Sequence, residues 1–230
     1  YAFRGLVRAY KRMGRLDEAE SWVETYLTEK PFSSAALYAS GYIFFLKEDI
    51  KKAEELFKKA LEQDDTNALA LNNLGAIRLS KKSYTQAVNL VRKAIQINPK
   101  EPMFFMNLET IYKQMGDPSL IITDYNFYLK EKEDLDLIRG YGMAVGRNMR
   151  QASFRLYNKG YLEKTILKWV EIEKIYKEID HQSGLVSVYF SLGILYEEKG
   201  ESQNAKNYFD LVLKLNPLHI QAKERLYNIR

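Results

Sequence analysis

Ala19, Ala53 and Ala87 stand 34 residues apart, and no other feature of the chain narrows its folding options as much. The same interval separates Gly41 from Gly75 and Ala60 from Ala94, and twice that interval separates Pro31 from Pro99. A fixed period of this length marks a stack of identical supersecondary units, each too small to bury its apolar face alone. Small residues keep the period for a steric reason. Where two helices cross closely, a side chain larger than a methyl group does not fit. Tyr10, Phe57, Tyr112, Tyr196 and Phe209 are the large side chains available to fill the holes between crossings. The prolines follow the second helix of a unit, which they cannot continue.

The residues in phase carry a family resemblance. Near the C-terminus, Leu192-Gly193 is followed by Tyr196, Gly200, Ala205, Phe209 and Pro217, with Tyr189 three residues ahead. Earlier copies keep Leu74-Gly75, Ala87, Ala94 and Pro99, then Gly41, Ala53, Phe57 and Ala60, then Leu6, Tyr10, Gly14, Ala19 and Pro31. This pattern resembles the tetratricopeptide repeat. The resemblance implies an all-α fold, a right-handed α-solenoid of antiparallel helix pairs. Four pairs are expected at 1–33, 34–67, 68–101 and 102–134. The fourth is worn, with Glu109 in the small-residue slot and Ile121, Tyr125 and Tyr128 in place of the alanines and Phe.

The register then slips. Gly75 to Gly193, Ala87 to Ala205 and Pro99 to Pro217 each span 118 residues, three periods and sixteen more. Apolar residues from Leu135 through Ile138, Val145 and Met149 to Leu156 keep helical spacing, so a long helix is expected over about 135–158. Gly160 turns the chain, and Leu162 to Ile179 forms the returning helix, with Trp169 and Ile172 in its core. The segment from His181 to Gly184 is the next break. The expected organisation is a four-pair block at 1–134, an enlarged irregular pair at 135–184, and a final repeat with a capping helix at 185–230. Leu226, Tyr227 and Ile229 leave the cap sticky on one side, a surface for self-association.

Composition excludes several functions. No cysteine occurs, which removes disulfides and thiolate chemistry. The net charge of +5 is small for 230 residues and dispersed, without the basic block that marks a nucleic-acid binder. The apolar run from Ala35 to Leu46 is too short to span a bilayer. Mixed-sign runs such as Lys51-Lys52-Ala53-Glu54-Glu55 read as solvated helix faces. Only two histidines, His181 and His219, are available as proton shuttles, and they lie far apart in a linear fold. No metal-ligand cluster, nucleophile motif or cofactor loop occurs. Gly140-Tyr141-Gly142 with Gly146 lacks the context of a phosphate loop and reads as glycine permitting close helix contact. The expectation is therefore a non-catalytic chain without metal or cofactor. The chain starts at Tyr1 without an initiator Met and reads as a piece of a longer, bacterial protein, with cytoplasmic and envelope locations both open.

The resemblance also implies where a partner would sit, because the family's first helices line a concave groove. The corresponding positions are Arg4, Arg8 and Lys11, then Tyr38, Tyr42 and Phe45, then Asn72, Asn73 and Ala76, then Met106, Asn107 and Thr110. Such a groove suits a peptide: Arg fixes an acid, aromatic rings bury an apolar anchor, and Asn pairs with backbone groups. Tyr38 and Tyr42 are equally readable as packing between repeats. The family's carboxylate clamp would fall on Arg4, Arg8, Ala39, Leu69 and Asn73, which lacks the middle Asn and the later cations, so binding of a chaperone's C-terminal tail is not expected. Arg139, Arg147 and Arg150, with Met143, share one helical stripe and offer a surface for an anionic partner. The implied function is an adaptor that holds a protein or peptide partner in an assembly. Two alternatives are a substrate-recruiting arm of a larger enzyme and a ligand-binding solenoid of lipoprotein type.

Overall fold

The computed structural model describes residues 2–131 and 134–229. Tyr1 and Arg230 therefore lie outside the described residues, as do residues 132 and 133, which adjoin the expected boundary at 134. Thirteen helices, with no strand among the described residues, run in order: α1 (Ala2–Arg12), α2 (Leu16–Glu29), α3 (Ser34–Leu46), α4 (Ile50–Gln63), α5 (Ala68–Ser80), α6 (Tyr84–Ile97), α7 (Pro102–Gln114), α8 (Leu120–Glu131), α9 (Leu135–Asn158), α10 (Leu162–Glu178), α11 (Gln182–Glu198), α12 (Ser202–Leu215) and α13 (Ile220–Asn228). They form two compact units, residues 1–117 and 118–230.

In the first unit the 34-residue period has a physical counterpart at every level. Ala19, Ala53, Ala60, Ala87 and Ala94 are all fully buried. A methyl group built on Gly41 would meet the Phe57 ring at 2.8 Å, and one on Gly75 would meet Val91 at 2.6 Å. In each case the glycine is the gap into which the second helix of the pair inserts a side chain, the Phe57 ring or a Val91 methyl. The turns repeat too. Gly14, Glu48, Lys82 and Gly116 all have positive φ. Each is followed by an amide that bonds back to the carbonyl of Tyr10, Phe44, Arg78 or Tyr112, the helix-ending motif that turns the chain sharply. Ser33 and Asn67 cap α3 and α5 by accepting from the amides of Ala36 and Ala70. Ion pairs hold successive pairs together in the same register: Glu20 with Lys47 at 2.6 Å, and Glu54 with Lys81 at 2.6 Å. Glu54 also binds Arg78 at 2.9 Å and Lys58 at 2.9 Å, which holds its carboxyl well below the usual carboxylate range.

The first-position helices α1, α3, α5 and α7 pack successively on one another, and α1, α3 and α5 also pack on their own partners α2, α4 and α6. Val7, Ala19, Val23, Ala39 and Ile43 form the core at the start of the unit, with Phe3, Tyr10, Leu16 and Leu27 packed around them.

The second unit combines one regular pair with an enlarged one. In α11 and α12 a methyl on Gly193 would meet Phe209 at 2.5 Å, the arrangement of Gly41 and Phe57 again. The helices α9 and α10 have 24 and 17 residues, against 13 and 14 in α5 and α6. Here Gly142 faces Ile179, and Gly146 faces the buried Tyr176 ring, where a methyl would come within 2.3 Å. Gly142 and Gly146 thus serve close helix contact. The next helix begins at Gln182, so Gly184 is helical and not part of the break. It too lies against Tyr176 and His181. The capping helix α13 packs on α12.

Candidate functional site

The groove positions of the first unit fall into three groups. At one end, Arg4 on α1 reaches the far end of the unit. Its Nη1 donates to Glu101 Oε2 at 3.0 Å, and its Nη2 lies 3.0 Å from the Met103 sulfur. Glu101 occupies the N-cap position of α7, in period with Ser33 and Asn67. Unlike them it makes no capping bond, and its carboxylate takes Arg4. A contact between residues 97 apart in sequence means that the row of first helices curls on itself. It closes over a cavity of about 410 Å³ lined by Phe3, Arg4, Tyr38, Asp64, Asn67 and Asn98, among others. Arg8 stands exposed on the same helix.

In the middle group, Tyr38 is 3% exposed and stacks on Tyr42 with ring centroids 6.0 Å apart, and on Phe57 at 5.8 Å. Tyr42 and Phe45 are half-buried. Tyr38 thus joins the core to the cavity wall, and Tyr42 is its more accessible neighbour.

The third group is polar. Asn107 Nδ2 donates to Asn72 Oδ1 at 2.8 Å, and Asn72 Nδ2 donates to Asn73 Oδ1 at 3.3 Å. Asn72 is fully buried, Asn73 nearly so, and the Asn73 Nδ2 has no partner among the described residues. A buried donor left unmet costs about 1–3 kcal/mol, so this amide is poised to donate to an incoming carbonyl. Ala76 is half-buried beside it. Thr110 is exposed, but its hydroxyl is spent on its own helix at Met106 O, 2.8 Å away.

The structure does not present the arginine stripe of α9 as one face. Arg139 is exposed, whereas Arg147 and Arg150 are half-buried. Arg150 turns inward, donates to the Tyr176 hydroxyl at 3.2 Å and lies 6.0 Å from the centre of the Trp169 ring. Burial, and then the charge of Arg150, push the His181 pKa down. His181 packs edge-on to Tyr176 at 4.9 Å. His219 caps α13, its Nδ1 accepting from Ala222 N at 3.2 Å.

Reasoning from first-helix slots alone missed the cavity's other wall. Asp64, Asn67 and Asn98 come from the turns between pairs, and Glu101 from a cap. The signal was present: residues 33, 67 and 101 share one phase, and so do 64 and 98. Among the described residues no helix is long and apolar enough to cross a membrane.

Known proteins agree with this architecture. The tetratricopeptide repeat family matches residues 4–68, 44–117 and 186–217. Protein O-mannosyl-transferase TMTC3 of Homo sapiens is 26% identical over 96% of this chain and 26% of its own length. A TPR repeat-containing protein of Methanocaldococcus jannaschii is 26% identical over 88% of this chain and 36% of its own length. The chain thus spans about a quarter to a third of these relatives. The type IV pilus assembly protein PilF of Pseudomonas aeruginosa is 30% identical over 51% of this chain and 48% of its own length. A solved structure of PilF superposes with a TM-score of 0.50 at 22% identity, covering 97% of this chain and 94% of that one. With the glycine gaps, positive-φ turns and buried alanines recurring in phase, and with family matches over most of the same stretch, the chain belongs to the tetratricopeptide repeat family.

Proposed function

We propose that the chain is a protein-interaction scaffold whose first unit holds an extended or helical segment of a protein partner on the side lined by α1, α3, α5 and α7. The observation that carries this reading is the Arg4–Glu101 contact, which curls those helices over a cavity of about 410 Å³. The cavity offers the Arg4–Glu101 ion pair at one end and aromatic surface in the middle, and the unmatched Asn73 amide lies on the same row of helices. Arg4, Arg8, Tyr38, Tyr42, Phe45, Asn72, Asn73, Ala76, Asn107 and Thr110 remain the proposed contact set. Tyr42 and Asn73 carry most weight, because Tyr38 and Asn72 are engaged inside the fold. The organisation into 1–134, 135–184 and 185–230, with the first block as the binding element, is part of the same proposal.

The segment acts by binding and not by catalysis in this reading. Both histidines have structural work, His181 against Tyr176 and His219 at a helix cap. The transferase name of one relative belongs to a protein of which this chain spans 26%, so a recruiting arm of a larger enzyme is the second reading. PilF, named for pilus assembly, supports a place in a bacterial assembly.

The test is capture of partners by the 230-residue chain, repeated with Tyr42→Ala plus Asn73→Ala. Loss of a captured protein with helicity retained supports the groove. Undiminished capture moves the site elsewhere on the molecule.

A further inference from the structure

The charge that an occupant of the first-unit cavity would meet is not the one its arginine suggests. Arg4 is the cation of the lining, and it is already engaged. Glu101 binds it at 3.0 Å, with the two side chains only 11% and 18% exposed. Arg8, one turn further along α1, does not line the cavity. The other charged residue of the lining is Asp64.

Asp64 puts an acid where the repeat does not need one. The residues in phase at this turn read Lys30-Pro31, Asp64-Asp65 and Asn98-Pro99. Asp64 and Asn98 close α4 and α6, and each accepts through Oδ1 from the amide two residues on, Thr66 N at 3.0 Å and Lys100 N at 3.2 Å. Asn216 does the same at the end of α12, accepting from Leu218 N at 3.2 Å. A neutral asparagine therefore builds this turn twice, and the charge at 64 is surplus to it. The Thr66 hydroxyl also donates to Asp64 Oδ1, at 2.6 Å. Asp64 Oδ2 has no hydrogen-bond or ion-pair partner among the described residues. The neighbouring Asp65 has one, Lys93 at 3.8 Å.

The rest of the lining makes little further polar demand. Asn67 is committed to the fold, with Nδ2 donating to Ser34 Oγ at 2.9 Å and Oδ1 accepting from Ala70 N at 3.1 Å. Phe3, Ala35, Ala68, Leu69 and Ile97 supply apolar wall. Apolar walls with one uncompensated carboxylate complement a long hydrocarbon stem that ends in a positive charge. An acidic side chain would meet the carboxylates of Asp64 and Glu101 while Arg4 is taken. A purely apolar one would cover the Asp64 carboxylate without replacing its water.

We propose that the cavity takes a lysine or arginine side chain of the partner segment, its stem against Phe3, Leu69 and Ile97 and its charged head at Asp64. This rests on the reading that the first unit holds a partner segment, and it reverses the acid expected from Arg4 and Arg8.

Trp22 packs against Phe3 with ring centroids 5.6 Å apart, so it reports on that wall. The chain has two tryptophans, and Trp169→Phe leaves Trp22 as the sole emitter. The probes are capped peptides Ala-Ala-X-Ala-Ala, with lysine, norleucine or glutamate at X, titrated into the 230-residue chain. The lysine peptide should give a saturable change in Trp22 emission, with a dissociation constant about tenfold below that of the norleucine peptide, the worth of one charge contact. The glutamate peptide should not saturate. Asp64→Asn keeps the Oδ1 acceptor that Thr66 uses, and far-UV circular dichroism checks that the helices persist. It should raise the constant of the lysine peptide by about tenfold and leave that of the norleucine peptide unchanged. Glu101→Gln releases Arg4, so it should weaken the lysine peptide and let the glutamate peptide bind. The proposal is overturned if no peptide gives a saturable response, if lysine and norleucine peptides bind alike, or if the glutamate peptide binds the unaltered cavity more tightly. It also fails if Asp64→Asn leaves the lysine peptide unaffected, or if n-butylammonium alone matches that peptide, which would make the cavity a site for free amines. None of these results touches the groove reading, which stands or falls on capture that depends on Tyr42 and Asn73. Conversely, lysine binding that depends on Asp64, with capture indifferent to Tyr42 and Asn73, would keep this site and remove that groove.

Discussion

In α3/α4 and α11/α12 a glycine of the first helix receives a ring sixteen residues later, whereas in α9/α10 Gly146 receives Tyr176, thirty residues later. The closest helix approach has moved away from the connecting turn. Gly146 lies twelve residues before the end of α9, or about 18 Å along the axis at 1.5 Å per residue. Gly41 lies five residues before the end of α3. Nearer the α9–α10 turn, the seam is filled by rings, Phe154 against Trp169, and that is where an apolar cleft opens, walled also by Ile194 and Leu195 of α11. The regular pair closes at its turn. The enlarged pair closes at depth and exposes part of its seam.

The strongest way to break this comparison is to remove the inserted rings. Phe57 and Phe209 are both fully buried in the same slot of their repeats. Phe57→Ala and Phe209→Ala should each cost about 3–5 kcal/mol, the range for deleting a buried aromatic side chain. Equilibrium urea unfolding measures both. Costs that differ by more than the range would mean that the shared spacing does not produce shared packing.

Filling the gaps from the other side is the next largest effect. Gly146→Ala puts a methyl within 2.3 Å of Tyr176, which is itself wedged by Gly184, His181 and its bond from Arg150. The ring has no room to retreat, and a loss of about 1–3 kcal/mol is expected despite the better helix propensity of Ala. Gly75→Ala meets a methyl group of Val91, the end of a small side chain, so it should cost less. Thermal unfolding of the two variants gives the order, and the reverse order would remove the argument that α9 and α10 are the more tightly keyed pair.

Much of this was legible because period and sterics coincide. Ala19, Ala53 and Ala87 are small for the reason their spacing implies, and the gap of Gly193 is filled by the Phe209 of its own motif. The Arg4–Glu101 contact was not legible, since helix periodicity carries no information on how far a row of helices curls. Arg150 was equally hidden. Its place on a stripe with Arg139 is fixed by the helix, but its inward turn depends on the Tyr176 hydroxyl of another helix. Phe154 and Trp169 are plain in the sequence as apolar residues, but the cleft between them needs the lengths of three helices.

The two units should also part company with pH. His181, in the second unit, has its pKa lowered by burial and by Arg150, so its contribution is present above the unfolded value of about 6.5 and is lost as pH falls. Glu54, in the first unit, is held low by Arg78, Lys81 and Lys58, so its contribution is present above about 4.3 and is lost below it. Trp22 lies in α2 and Trp169 in α10, which allows one reporter per unit. In urea melts of Trp22→Phe the midpoint should fall between pH 7.5 and 5.5. In Trp169→Phe it should hold there and fall between pH 5.5 and 3.5. Glu54→Gln should flatten that second decline, and a common pH dependence would show that the units do not titrate independently.

The smallest effect bears on the turns. Gly14 and Gly116 use glycine where φ is positive, but Glu48 and Lys82 hold the same position with φ of 66° and 57°. A side chain there is strained, because its Cβ crowds the following carbonyl. Both turns are otherwise complete, with Asp49 N bonded to Phe44 O at 3.0 Å and Ser83 N bonded to Arg78 O at 2.9 Å. Glycine can therefore enter without losing a hydrogen bond. Lys82→Gly and Glu48→Gly should each stabilise by about 0.5–1 kcal/mol, strain relief exceeding the added freedom of the unfolded chain. Neither side chain makes an ion pair among the described residues, so the gain is not offset by a lost contact. Asp180, at φ of 50°, closes the turn between α10 and α11, a place where the first unit has no positive φ. Its amide neighbour bonds to Tyr176 O at 2.8 Å, the residue that keys α9 to α10, while its side chain accepts from Gln182 at 2.6 Å. Asp180→Gly relieves the same strain but removes that bond, so it should gain less than Lys82→Gly. A larger gain at Asp180 than at Lys82 in the same thermal assay would mean that strain is concentrated in the turn of the enlarged pair and not shared evenly along the repeats.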